Sequence, residues 1–232
     1  MKICGLQKLA MVDYPGKLAA TVFTGGCNLR CPFCHNALLV TELDSCPESY
    51  TEEEILSFLK GRRGLLDGVV LTGGEPLLQN GAEDFLKAVR ALGFAVKLDT
   101  NGCYPEALAT ILEAGVVDYV AMDIKNRPEK YPETVGIPGF DVAPVQESVR
   151  LLRRSGVDYE FRTTVVRELH TEEDIRAICG WLQGSKRWYL QQFVDSGDLV
   201  GSGCHGREAA ELQAFVRIAE PYFDCVEVRG IS

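Results

Sequence analysis

The chain has 232 residues, 46% hydrophobic, 25% charged and 9% aromatic, the balance of an ordinary soluble globular protein with room for a large core. A formal net charge of −9 and a pI near 5.0 exclude a broad phosphate-binding face, so no nucleic-acid partner is expected. No stretch reaches the roughly 18 apolar residues of a membrane span, and residues 1–15 lack the apolar centre of a signal peptide. A cytoplasmic location without a membrane partner is the resulting expectation.

Residues 1–17 mix Lys2, Lys8 and Asp13 with Gly5 and Pro15 and read as an N-terminal extension. The apolar, β-branched run LAATVFTGG (18–26) is the first predicted strand. After a cysteine-bearing loop comes YTEEEILSFLKG (50–61), a helix with Thr51 as N-cap, Glu54 as capping-box partner and Gly61 as stop. GVVLTGG (68–74) is the second strand, and GAEDFLKAVRALG (81–93) a helix with Phe85, Leu86, Val89 and Leu92 on one face. FAVKLDTNG (94–102) is the third strand. It precedes the helix YPEALATILEAG (104–115), with Pro105 in its first turn and Gly115 past its end. The strands VDYVAMDIK (117–125), YEFRTTVV (159–166) and RWYLQQF (187–193) alternate with the helices VQESVRLLRRSG (145–156) and TEEDIRAICGWLQG (171–184). A C-terminal helix (206–220) and the short run VEVRG (226–230) end the chain.

Near-continuous apolar strands alternating with helices predict a parallel sheet buried on both faces and joined by right-handed crossovers. Six such strands form either an open doubly wound sheet or an incomplete (β/α)6 barrel. Either way the chain is one domain: an N-terminal extension (1–17), a core (18–193) and a C-terminal helix and strand (194–232). Both folds place chemistry at the C-terminal strand ends. There the sequence gathers Gly25-Gly26-Cys27, Gly73-Gly74-Glu75-Pro76, Asp99-Thr100-Asn101-Gly102 and Asp123-Ile124-Lys125.

Six of the nine cysteines (Cys4, Cys46, Cys103, Cys179, Cys204 and Cys225) stand singly and are expected as free thiols. Cys27-x3-Cys31-x2-Cys34 is spaced as a ligand set. Zinc with His35 as fourth ligand is cramped, because His35 directly follows Cys34, and no second ligand pair lies elsewhere. Incidental thiols are the bland alternative. An iron–sulfur cubane fits better, although such clusters normally take four thiolates. With three, one iron stays open.

The cysteine spacing, with Phe33 before its last member, resembles the signature of the radical S-adenosylmethionine (SAM) enzymes. CHN (34–36), GGEP (73–76), DTNG (99–102) and DIK (123–125), in that order, resemble the activating enzymes of glycyl-radical enzymes. DYPGKLAATVFTGGCNLRCPFCHN (13–36) and VEVRG are most similar to the activators of anaerobic ribonucleoside-triphosphate reductase.

That resemblance implies an incomplete (β/α)6 TIM-like barrel of the radical SAM type. Cys27, Cys31 and Cys34 would hold a 4Fe–4S cluster whose open iron chelates the amino and carboxylate groups of SAM. Gly73, Gly74 and Glu75 would line the SAM amino group, and Phe33 would lie near the adenine. Thr100 and Asn101 would bond the ligand, although TNG is equally a turn sequence. Asp123 and Lys125 would face the sulfonium and carboxylate, and Arg162 would clamp the carboxylate unless it is a surface arginine. Gln191 or Gln192 would replace a histidine that relatives carry after the sixth strand. Asp99 and Asp123, with the carbonyls of Thr100 and Ala121, match a monovalent-cation site; two facing carboxylates repel unless a cation or proton separates them. His170 reads as a surface residue at a helix start.

The implied reaction uses one electron from a flavodoxin- or ferredoxin-type donor to cleave SAM to methionine and a 5′-deoxyadenosyl radical. That radical takes a hydrogen from a backbone glycine of a partner glycyl-radical enzyme. Rival readings are a radical SAM enzyme acting on a small molecule and a non-catalytic iron–sulfur or zinc module.

Overall fold

The computed structural model describes residues 1–41, 46, 49–195 and 197–230. One eight-stranded sheet runs through it, with strand order identical to chain order: β1 (Ile3–Ala10), β2 (Ala19–Thr24), β3 (Gly68–Gly73), β4 (Ala95–Thr100), β5 (Tyr119–Asp123), β6 (Asp158–Val165), β7 (Arg187–Gln192) and β8 (Cys225–Arg229). Strands β2 to β8 are parallel. The fold is therefore the expected parallel α/β partial barrel, with β1 and β8 as its two edges.

The helices are α1 (Ala37–Thr41), α2 (Glu52–Lys60), α3 (Ala82–Ala91), α4 (Pro105–Glu113), α5 (Tyr131–Thr134), α6 (Ala143–Ser155), α7 (Glu172–Leu182) and α8 (Ala209–Ala219). The capping box at α2 forms as anticipated: the Glu54 amide donates to Thr51 Oγ1 at 3.2 Å, and the Thr51 amide donates to Glu54 Oε2 at 2.8 Å. Thr171 and Asp174 repeat it at α7.

The extension holds an additional strand. β1 pairs antiparallel with β2, although ICGLQKLA shows neither strict alternation nor a continuous apolar run. Two register irregularities, between Ile3 and Gly5 and between Gln7 and Ala10, break its period. Bulged edge strands lose the pattern on which strand prediction depends. At the other end β8 joins β7 in parallel, so the C-terminal strand continues the sheet.

The two sheet faces differ chemically. Val22, Val69, Leu71, Val96, Leu98, Val120, Met122, Phe161, Trp188 and Leu190 belong to the large core that includes buried residues of the helices. On the other face Ala19, Val70 and Tyr119 of the strands join Tyr14, from the segment between β1 and β2, in a small apolar cluster. Among the charged residues of that face are Lys97, Asp99, Asp123, Glu160, Arg162 and Arg229. Charges on a barrel interior are costly unless paired. Their pairing defines the site.

Candidate active site

The loop between β2 and α1 carries the three cysteines. Arg30 anchors it: its amide donates to the Val135 carbonyl at 2.9 Å, and its Nη1 donates to the carbonyls of Cys27 and Leu29, both at 2.7 Å. The Cys34 amide closes a turn on the Cys31 carbonyl. From beyond β7, the amides of Val200 and Gly201 donate to the carbonyls of Cys34 and Pro32. That strap was not visible in the sequence, because nothing in its composition encodes a partner so distant in the chain.

Cys27, Cys31 and Cys34 face one cavity of about 250 Å³, together with Phe33, Gly73, Gly74, Asp99, Thr100, Asn101, Asp123, Lys125, Arg162 and Gln191. Leu29, His35, Asn36, Thr72 and Thr164 complete much of its wall. Residues from six strands or their following loops thus meet at the C-terminal end of the sheet. Among the described residues no three His, Cys, Asp or Glu side chains are grouped as ligands of a single ion. The three thiols share the wall of one cavity, as a cluster whose separate irons each take one thiolate would need. Burial pushes the Cys31 thiol up to about 12 and raises Cys27 as well. Metal loading must displace those protons.

Within the GGE turn Gly73 and Gly74 line the cavity, but Glu75 does not. A Cβ on Gly74 would stand 2.0 Å from the Gly26 carbonyl oxygen, and one on Gly73 (φ +127°) 2.3 Å from the Thr24 backbone. The amides of Gly74 and Glu75 donate to the carbonyls of Thr24 and Gly26. The glycines therefore admit the backbone of the cysteine loop itself. Glu75, expected at the ligand, is fully buried and does not line the cavity. Its Oε1 accepts from the Leu77 amide at 3.0 Å and Thr100 Oγ1 at 2.8 Å, while Oε2 accepts from the Asn101 amide at 2.7 Å. Burial outweighs these donors and raises its carboxyl to about 7. Glu75 ties the end of β3 to the end of β4.

Asp99 and Asp123 do face each other across β4 and β5, but the separating charge comes from the protein. Arg162 donates through Nε to Asp123 Oδ1 at 3.0 Å and through Nη1 to Asp99 Oδ2 at 3.2 Å. Lys125 Nζ holds Asp123 Oδ2 at 2.9 Å, and Lys97 Nζ holds Asp99 Oδ1. All four carboxylate oxygens carry an N–H donor, so in this structure three protein cations supply the separating charge that the sequence reading assigns to a monovalent cation. Burial alone would raise Asp123, but Lys125 and Arg162 bring it down to about 2. Arg162 is one of the cavity's own walls and not a surface arginine. Three cations against two carboxylates leave one positive charge in excess, suited to a ligand carboxylate.

Alternation along β7 separates the two glutamines. Gln191 faces the cavity, whereas Gln192 Nε2 donates to the Arg207 carbonyl at 3.1 Å. Phe33 is buried at the cavity wall, and His35 stacks on Phe193 with ring centroids 5.4 Å apart. His170 corrects the sequence reading. It is fully buried, its Nδ1 accepts from the Val166 amide at 3.1 Å, and its Nε2 therefore carries the proton given to the Lys125 carbonyl at 2.8 Å. Burial lowers its pKa, keeping the ring neutral. It braces the DIK loop from behind.

A parallel partial barrel with a three-thiol loop after its first parallel strand and paired charges at the later strand ends defines a cluster-bearing, cofactor-dependent enzyme. The pattern of the Radical SAM superfamily matches residues 21–182, and the chain belongs to that superfamily. A Methanocaldococcus jannaschii protein, provisionally named a glycyl-radical enzyme activating enzyme, is 34% identical over 99% of this chain and 96% of its own. The pyruvate formate-lyase-activating enzyme of Clostridium pasteurianum is 30% identical, covering 76% of this chain and 74% of its own. In fold, Streptococcus suis SuiB bound to S-adenosylmethionine superposes with a TM-score of 0.69 at 14% identity, over 88% of this chain and 48% of SuiB. No helix among the described residues is long and apolar enough to cross a membrane.

Proposed function

We propose that this chain is an activase that installs a glycyl radical in a partner protein, with anaerobic ribonucleoside-triphosphate reductase as its target. The observation that carries this reading is the meeting of three cluster-loop thiols with the paired Arg162 and Lys125 in one cavity at the strand ends. Relatives named as activating enzymes match over 99% and 76% of this chain. Cys27, Cys31 and Cys34 would hold the 4Fe–4S cluster. When bound, the cluster and SAM supply reductive cleavage and a hydrogen-abstracting species.

The remaining chemistry belongs to the chain. Arg162 and Lys125, oriented by Asp99 and Asp123, receive the SAM carboxylate. The backbone of Gly73 and Gly74 lines the amino group, Phe33 packs at the adenine side, and Thr100 and Gln191 complete the ligand wall. The strap at Val200–Gly201 is fastened to loop 25–36 beside the cavity, where it would limit water access. A cytoplasmic one-electron donor of the flavodoxin or ferredoxin type would reduce the cluster, and the open edge of the sheet would leave room for a partner's glycine loop. Residues 1–17, 18–193 and 194–232 act as one domain.

The deciding experiment incubates anaerobically reconstituted protein with SAM, a photoreductant and candidate glycyl-radical enzymes, and records EPR spectra. A glycyl doublet that requires the partner and disappears with Cys31→Ala is expected. SAM cleavage without a glycyl signal in any such partner would overturn the activase reading in favour of a small-molecule substrate.

A further inference from the structure

We propose that Asn101 tunes the cluster, its side-chain amide donating an N–H to the sulfur of Cys27 and thereby easing reduction. The inference rests on the reading above, in which the three thiolates carry a 4Fe–4S cluster. Asn101 Nδ2 lies 3.8 Å from Cys27 Sγ and 2.8 Å from Asn28 Oδ1. Its Oδ1 accepts from the Cys103 amide at 2.9 Å, and its own amide is held by Glu75 Oε2 at 2.7 Å.

This network fixes which end of the amide is which. Rotating it by half a turn would set oxygen against Asn28 Oδ1 and NH2 against the Cys103 N–H, losing both bonds. One Nδ2 hydrogen serves Asn28, and the other is left for sulfur. At 5% exposure, the side chain is shielded from competing water. The Leu29 amide adds a second donor to Cys27 Sγ at 3.4 Å. Among the described residues, the hydrogen bonds to sulfur in the three-cysteine loop fall on Cys27 alone.

Reduction adds one electron to the cluster and moves no proton, so negative charge on the thiolate sulfurs grows. An N–H donor aimed at one of them stabilises the reduced form more than the oxidised one, raising the potential. Asn101 thus acts through Cys27 as a positioning residue. The sequence suggested only a turn or a ligand contact for it.

The test measures the midpoint potential of anaerobically reconstituted full-length protein, without SAM, by EPR-monitored redox titration. In Asn101→Ala the reduced-to-oxidised ratio at a fixed potential should fall about tenfold, a shift of about 59 mV to lower potential for a one-electron couple. Asn28→Ala, which frees the amide without deleting it, should shift the potential the same way by a smaller amount. Resonance Raman should show one iron–thiolate stretch strengthened in Asn101→Ala. Normal iron and sulfide content with unchanged potentials in both variants overturns the proposal. If Asn101→Ala fails to hold a cluster, the Asn28→Ala potential decides. Failure of the parent protein itself to assemble a cubane overturns the cluster reading instead.

Discussion

Arg162 shows how one side chain can replace an external ion. Its guanidinium spans two carboxylates that would otherwise repel, and burial makes that pairing obligatory. Arg162→Ala should weaken SAM binding to reconstituted protein by about 2–5 kcal/mol, as expected when one partner of a buried charge pair is removed. Arg162→Lys, with one point charge for two carboxylates, should recover only part of it. Calorimetric titration reads both. In the same experiment, replacing sodium with potassium or choline should leave wild-type affinity unchanged within about twofold, since Arg162, Lys125 and Lys97 already outweigh the charge of Asp99 and Asp123. Glu75 offers a second test at this scale. Its native carboxyl lies near 7, above its ordinary 4.5. The folded protein therefore holds a proton that the unfolded chain releases between those values. That stabilisation is complete below pH 4.5 and is lost as pH rises through 7, a change of about 3 kcal/mol at most. The difference in denaturant stability between metal-free wild type and Glu75→Gln should vary across this window in that direction. A flat difference would show that Glu75 is ionised throughout.

Among the elements, the turn after β3 matters most, because two backbones meet there with no room for a side chain. Gly74→Ala would place a methyl 2.0 Å from the Gly26 oxygen, and backbone atoms on both sides cannot swing away as a flexible side chain would. A loss of about 1–3 kcal/mol follows from overpacking, together with reduced iron uptake as the cysteine loop is displaced. Thermal melting and iron quantitation of the purified variant check these outcomes. Gly93→Ala, at a position with open space but φ +94°, provides a control for conformational strain without contact. The elements also show what the sequence could reveal. Apolar runs and capping signals such as Thr51 with Glu54 depend on neighbouring residues, so the six core strands and their helices were legible. β1 was not, because its two irregularities erase alternation. Nor were the destinations of Glu75, Arg162 and His170. Their residue types signalled chemistry, but their partners are set by register across strands and by burial. His170 in particular looked like a helix-start residue because its contact with the Lys125 carbonyl arises only in the folded sheet.

Over the whole molecule, the charged barrel interior has two levels. Above, at the strand ends, Arg162 and the lysines pair with Asp99 and Asp123 as described. Below, Glu160 is fully buried, accepts from the Tyr119 hydroxyl at 2.7 Å, and takes a two-pronged ion pair from Arg229 at 2.7 and 2.9 Å. Arg229 also lies over the Tyr189 ring, 3.3 Å from its centroid. The terminal VEVRG run therefore sends its arginine back into the barrel, fastening β8 to β6 across the intervening β7. Arg229→Met should destabilise the fold by about 3–5 kcal/mol by leaving a buried carboxylate without its cation. Adding Glu160→Gln should recover much of that loss. Urea denaturation of the single and double variants measures the coupling, and strictly additive losses would argue against the clasp.

The identity of strand order and chain order has a consequence for how the protein is made. Each strand that leaves the ribosome can dock on a neighbour already present, without waiting for a distant segment to return. The cysteine loop and its Gly74 support are assembled early. Arg162 and the strap at Val200–Gly201 follow much later, and the Arg229 clasp comes last. A nascent chain therefore presents the three thiols of that loop well before the C-terminal segment can enclose them.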